Sequence, residues 1–455
     1  MAPPSPFQRA LALMNSGQLE AAIALAGGPE ARRDPATLNV AAACAARLGL
    51  AAVADDFYRR ALKADPRFAA AHSNYGIFLQ DHGRWDEAER ALGEAVRLQP
   101  AFVEAHYNLA ILRGRLNRWA EAEAGHHEAL RLRPDHPGAR FNLGALLLAR
   151  GAFEEGWPLF EARRDPRAPE ALPPPALPFP EWTGQPLDGK SLLVWFEQGF
   201  GDEIQTARYV PWLKARGAAR VSLVCKPPLA PLFATLAGVD AVIPASGHAQ
   251  IDLHDFWIPP FSIPYRAGAR LETIPAEIPY LASTWDRRAR WDRALPAGDL
   301  RIGLTWRGSA ALKNDANRSL AGLSALAPLW SVPGAVFVSL QKGPGEEEAD
   351  IAPPGQPIIP LGPQIGDFAD TAAIIDQLDL VICVDTAVAH LAGALGKPCW
   401  VLLPRIGTDW RWLRDREDSP WYPTLRLFRQ GAGKTWDAVI ARMAQALATY
   451  AAESG

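Results

Sequence analysis

A period of 34 residues runs through the first third of the chain and constrains its fold more than any other feature. Pro66, Pro100 and Pro134 share one column. Ala54, Ala88, Ala122 and Gly156 share a second, Gly49, Gly83, Asn117 and Gly151 a third, and Ala61, Ala95 and Ala129 a fourth. Each column has a physical reason. The small residues let two helices approach closely, the Gly/Asn column breaks the chain between them, and the proline ends the second helix. Repeats begin near Pro35, Ala69, Val103 and Pro137. Residues 3–34 read as a degenerate first unit, in which Gly17 and Ala22 hold the phase and the closing proline is displaced to Pro35. The last unit departs at its end. Pro158, two residues past Gly156, is expected to disturb the second helix there and cap the stack.

This pattern resembles the tetratricopeptide consensus, whose stacked units form a superhelix with a concave groove for extended peptide. Asn74, Asn108 and Asn142 make a column on the groove helices. Their amides could bond a peptide backbone without reading its sequence, or could simply contact the neighbouring repeat. Val40 interrupts the column in the first full unit. His72, His106, His126 and His127 also follow the repeat, and no cysteine or carboxylate completes a ligand set, so no metal is expected there.

The rest of the chain is built differently. Of 16 Trp, only Trp85, Trp119 and Trp157 fall before residue 160. Across all 455 residues, 49% are hydrophobic and 21% charged, which excludes a disordered polymer. Lys plus Arg is 47 and Asp plus Glu is 50, so the net charge of −3 provides no broad phosphate-attracting field, and nucleic-acid binding is not expected. No apolar run reaches the roughly 18 residues of a membrane span. No secretory leader is legible at Met1 to Pro6, and Cys44, Cys225, Cys383 and Cys399 are too scattered for a disulfide framework. A reducing, cytoplasmic setting is the expectation.

Eight prolines between Asp165 and Pro186 prevent regular structure and predict a stiff linker over 165–188. Strands then alternate with helices. Apolar runs at 191–196, 221–225 and 241–243 form one series; runs at 301–306, 335–340, 380–384 and 399–403 form another. Helices are predicted over 202–216, 228–237, 370–377 and 386–395. This alternation predicts two parallel, doubly covered sheets. The expected division is 1–164 for the repeats, 189–290 and 291–434 for two Rossmann-like domains, and 435–455 for a final helix. Ligands of such sheets bind beyond the carboxyl ends of the strands, here the cleft between the two halves.

Three segments fall at such strand ends. Glu197-Gln-Gly-Phe-Gly-Asp-Glu203 opens a helix after the first strand. Gly199 and Gly201 permit tight backbone, but Ile204 stands where a dinucleotide fingerprint needs a third glycine. Asp202 is left at the junction, as a base for a hydroxyl proton or as a helix cap. Asp385, Thr386, Ala387 and His390 begin a helix after a later strand, where free N–H groups suit an anion. The loop after Thr305 carries Arg307, Lys313 and Arg318, which could neutralise a diphosphate leaving group without metal or could be a solvated basic loop. Gln341 is placed by position alone as a contact for a nucleotide base.

Together these motifs resemble nucleotide-sugar glycosyltransferases of the two-Rossmann GT-B type. The Gly-Asp opening and Asp385-Thr-x-x-x-His390 through Pro398 resemble the bacterial heptosyltransferases. The repeats ahead of such a domain are similar to the layout of protein O-linked N-acetylglucosamine transferases. Asp409-Trp-Arg-Trp412 and Asp418-Ser-Pro-Trp-Tyr-Pro423 resemble bacterial tetratricopeptide glycosyltransferases, some acting on flagellin. The resemblance implies Asp202 as general base and Lys313 beside the phosphates. It implies Asp385, Thr386 and His390 in the nucleotide-sugar pocket. It also implies an inverting, metal-independent transfer with no cofactor, from a nucleotide sugar to Ser or Thr of a protein held by the repeats; the alternatives are a carbohydrate or lipid acceptor with the repeats used for assembly, or an inactive binding scaffold. Ala387 replaces the glycine common in heptosyltransferases, which puts heptose itself in doubt. Trp410, Trp412 and Trp421 either stack on a base or sugar or fill the wall between the halves.

Overall fold

The computed structural model describes residues 3–454 apart from 169–170, 172–173, 246–249, 296–299, 313, 432 and 434. The chain divides into two compact units, Met1–Leu146 with Ala162–Leu172, and Leu147–Glu161 with Pro173–Gly455.

The first unit is a run of antiparallel helix pairs: α1 (Pro6–Asn15) with α2 (Leu19–Gly27), α3 (Pro35–Arg47) with α4 (Ala51–Ala64), α5 (Ala69–Asp81) with α6 (Trp85–Leu98), and α7 (Val103–Arg115) with α8 (Trp119–Leu132). The break column performs one task. Gly17, Gly49, Gly83 and Gly151 have φ of 76, 74, 71 and 85°, and Asn117 has 61°. Left-handed backbone reverses the chain there, and only Gly, or Asn with its short side chain, adopts it cheaply. The small column is equally plain, with Ala22, Ala54, Ala88 and Ala122 wholly buried where helices cross.

The boundary between the units falls inside α9 (Pro137–Ala149). Helix α10 (Phe153–Phe160) belongs with the second unit. Pro158 sits within α10, which runs 8 residues against 14 for α8 and then tightens into a 3₁₀ turn, Glu161–Arg164. The proline thus shortens the helix without abolishing it. Its aromatic residues Phe153, Trp157 and Phe160 are buried.

The second unit holds two all-parallel sheets, as the alternation predicts. Its elements are β1 (Ser191–Val194), α11 (Phe200–Ala207), α12 (Tyr209–Ala215), β2 (Arg220–Cys225), α13 (Ala230–Phe233), β3 (Ala241–Pro244), β4 (Phe256–Ile258), α14 (Ser262–Arg266) and α15 (Trp285–Asp292). There follow β5 (Leu300–Thr305), α16 (Asp315–Arg318), β6 (Ala335–Ser339), β7 (Ile358–Pro360), α17 (Phe368–Ile375), β8 (Leu380–Val384), α18 (Ala387–Ala394), β9 (Cys399–Leu403), β10 (Leu425–Arg429) and α19 (Asp437–Ser454). The strand orders are β3-β2-β1-β4 in the first lobe and β10-β9-β8-β5-β6-β7 in the second. The helix expected over 202–216 is two helices, because Pro211 has no N–H to continue the ladder. Helix α19 is no separate element. Its Val439, Ile440, Met443 and Leu447 complete the core under β5, β8 and β9. Each such aliphatic side chain contributes about 1.5–3 kcal/mol on leaving water.

Candidate functional site

Strand β1 delivers the chain to Gln198, which takes the left-handed conformation at φ 59°, and then to Gly199, the N-cap of α11. Three residues on, Asp202 folds back so that its Oδ2 accepts the Gly199 N–H at 2.7 Å. Its other oxygen, Oδ1, accepts from Arg411 Nη2 at 2.5 Å. Arg411 lies in the loop after β9, so this bond joins the two lobes. Asp202 and Arg411 side chains are 14% and 9% exposed. Gly201 makes the approach possible. A methyl group there would stand 2.6 Å from His390 Cδ2 and 3.4 Å from Ala387 Cα. The amino ends of α11 and α18 therefore meet, and Asp202 and His390 share one locus.

On the second lobe, β5 and β8 pair with Thr305 opposite Cys383, and their carboxyl ends carry Thr305 and the Asp385-Thr386 step. The Oγ1 atoms of Thr305 and Thr386 are buried without a hydrogen-bond partner among the described residues. Burial, with Asp409 beside it, pushes the Asp385 carboxyl up to about 6. Asp409 is raised for the same first reason, desolvation. Burial opposes the charge of Arg411, but Asp409, Asp202 and Asp385 outweigh it and hold the guanidinium above its ordinary value. His390 has its Nδ1 3.0 Å from Tyr422 Oη and lies parallel to Trp412, with centroids 5.1 Å apart. Burial, reinforced by Arg411 and Arg208, holds its imidazole neutral.

The structure thus gathers Gly199, Gly201, Asp202, Asp385, Thr386, Ala387 and His390. Arg318 joins them by donating from Nη1 to the Asp385 carbonyl at 3.0 Å. Arg307 is paired with Glu348 at 2.8 Å. Gln341, expected as a base contact, lies against the loop after β5. It is 1% exposed, and its amide clamps the loop after β5, accepting from the Trp306 and Arg307 N–H groups at 3.0 Å and donating to the Arg307 and Pro344 carbonyls. Lys313 lies outside the described residues.

Sequence reasoning missed the two arginines that tie the lobes. Arg411 was legible only as part of a tryptophan-rich run. Arg208 is buried, donating to the carbonyls of Pro275 at 3.0 Å and Trp421 at 2.6 Å, with its guanidinium 4.5 Å from the Tyr422 ring centre. Trp410 and Trp421 are wall, the second reading of the run. Trp410 meets Trp157 edge-on at 5.3 Å and Phe160 at 5.7 Å, and Phe153 stacks on Trp421 at 5.9 Å. Helix α10 therefore backs the loop that carries Arg411.

In the repeats, the Asn74, Asn108 and Asn142 amides donate to Asn39, Ser73 and Tyr107 of the preceding unit at 3.1, 3.4 and 3.2 Å. One N–H of each is spent between repeats. Among the described residues no three His, Cys, Asp or Glu are placed to hold a metal ion, and no helix is long and apolar enough to cross a membrane.

Comparison with known proteins finds similarity in both parts of the chain. Residues 57–90 match the tetratricopeptide repeat model, and residues 334–402 match glycosyltransferase family 9 (heptosyltransferase). Protein FlbA of Caulobacter vibrioides is 32% identical over 340 residues, 68% of this chain and 54% of its own length, so the chain spans about half of that relative. Solved structures similar to it include PilF of Pseudomonas aeruginosa, at 24% identity and a TM-score of 0.33, covering 34% of this chain and 72% of that one. MamA of Desulfovibrio magneticus is similar at 19% identity and a TM-score of 0.31, covering 35% and 93%. The similarity to the tetratricopeptide repeat model thus falls in the first unit, and the similarity to glycosyltransferase family 9 falls in the second lobe of the second unit.

Proposed function

We propose that the chain is a glycosyltransferase that moves a sugar from a nucleotide-sugar donor to Ser or Thr hydroxyls of a protein acceptor bound by the repeats. One observation carries this reading. A carboxylate on the first lobe, bonded to Arg411 of the second, lies beside the Asp385–His390 helix start, with Gly201 closely against His390 and Ala387, where strands of both sheets end. Asp202 accepts the hydroxyl proton, the acceptor oxygen bonds to the anomeric carbon, and the carbon–phosphate oxygen bond breaks, leaving a nucleoside diphosphate. Developing charge on that diphosphate is offset by Arg318 and the free N–H groups opening α18, with Lys313 from the same loop. No metal or other cofactor is invoked, and the single displacement inverts the anomeric centre. Flagellin, in the cytoplasm, is the acceptor favoured by the sequence resemblance.

A calorimetric screen of nucleotide sugars on the full chain, followed by mass spectrometry of candidate protein acceptors, tests this. The proposal expects one donor to bind and a Ser or Thr to gain its sugar. Sugar appearing only on a saccharide or lipid would refute the protein acceptor, and no donor binding would refute the enzyme.

A further inference from the structure

We infer that Arg411 is a positioning residue for the transfer: reaching from the second lobe, it fixes the Asp202 carboxylate as proton acceptor. The inference rests on the glycosyltransferase reading above. A carboxylate at the third position of a helix readily folds back onto its own N-cap. Asp202 does so through Oδ2 alone. One bond leaves the carboxylate free to turn about its own axis. The second bond, from Arg411 to Oδ1, fixes its plane.

Arg411 is itself held before any ligand arrives. Its N–H donates to Asp409 Oδ1 at 3.0 Å, and its Nε is 3.3 Å from the same oxygen. Its guanidinium carbon stands 5.3 Å from the Trp410 ring and 5.8 Å from the Phe261 ring. A swinging phosphate-seeking arginine would be solvent-exposed, whereas this side chain is 9% exposed and already committed to a carboxylate. The pair spans both lobes, so Asp202 is oriented only when they are together. Domain closure and readiness of the base are thereby one event.

From its own helix Glu203 faces Asp202, paired with Lys226 Nζ at 2.6 Å. From the second lobe come Arg411, Asp409 and Asp385, with Arg318 on the Asp385 carbonyl.

The experiment compares the wild-type full chain with Arg411→Gln and Arg411→Lys, reading kcat, donor KM and thermal melting. Arg411→Gln is expected to lower kcat by about 10²-fold through loss of orientation. Donor KM stays unchanged, and Arg411→Lys recovers part of the loss in kcat. A raised donor KM would overturn the inference and make Arg411 a donor ligand. Both variants equally slow and equally heat-labile would reduce it to a structural residue. A wild-type chain inert with every donor instead overturns the transferase reading itself, so the two failures are distinguishable.

Discussion

Gly201 and His390 meet across the two lobes, so closely that a methyl group on the glycine would stand 2.6 Å from the imidazole Cδ2. His390 cannot retreat, being bonded to Tyr422 and stacked on Trp412. The substitution Gly201→Ala is therefore expected to cost about 1–3 kcal/mol of stability by overpacking. It should also part Asp202 from Arg411 and lower kcat. Thermal melting and turnover measured together check this, and an active variant of unchanged Tm would show that the lobes do not meet at this glycine.

Trp157 supports the site from behind. It is 2% exposed and packs edge-on against Trp410, next to Arg411. Trp157→Ala should destabilise the protein by about 3–5 kcal/mol. Below its melting temperature the variant should still turn over more slowly, since the Arg411 loop loses its backing. Denaturant unfolding and kcat at low temperature separate the two effects.

Asp385 should leave a signature in the pH dependence of stability. Its folded pKa of about 6 lies above the ordinary carboxylate value, so the folded chain binds the proton more tightly than the unfolded one. The contribution is fully present below about pH 4 and is lost as pH rises through about 6, a cost of about 3 kcal/mol by neutrality. His390, with its depressed pKa, acts in the opposite sense: the unfolded chain gains a proton below about 6.5 that the folded chain refuses. Comparing wild type with Asp385→Asn cancels the histidine. The wild type should lose stability relative to the variant between pH 4 and 7, and parallel curves would contradict the assignment.

Gln341 is expected to matter for folding. Removing its amide by Gln341→Ala leaves the Trp306 and Arg307 N–H groups without their acceptor, at about 1–3 kcal/mol. Equilibrium unfolding should show the loss. A variant with wild-type stability but raised donor KM would return Gln341 to the role of a base contact.

What the sequence made legible follows from which residues carry local signals. Strands β8 and β9 coincide with the apolar runs 380–384 and 399–403 because every residue in them is buried on both faces. The repeat turns were legible because only Gly or Asn fits them. Strand β10 was missed because Arg426 and Arg429 interrupt it at a sheet edge, and β4 and β7 because three residues make no pattern. The buried arginines could not be found at all. Arginine is ordinarily a surface residue, and the partners of Arg411 and Arg208 lie 209 and 213 positions away along the chain. Asp202 could be placed at a helix start, but its partner across the cleft could not.

The proton-accepting role of Asp202 is tested most directly by Asp202→Asn, with donor affinity by calorimetry and turnover measured on the same full-length preparation. The substitution preserves shape but not basicity. The account predicts an unchanged donor Kd and a kcat lower by about 10²–10⁴-fold. Turnover equal to wild type, with the donor bound as tightly, would contradict it.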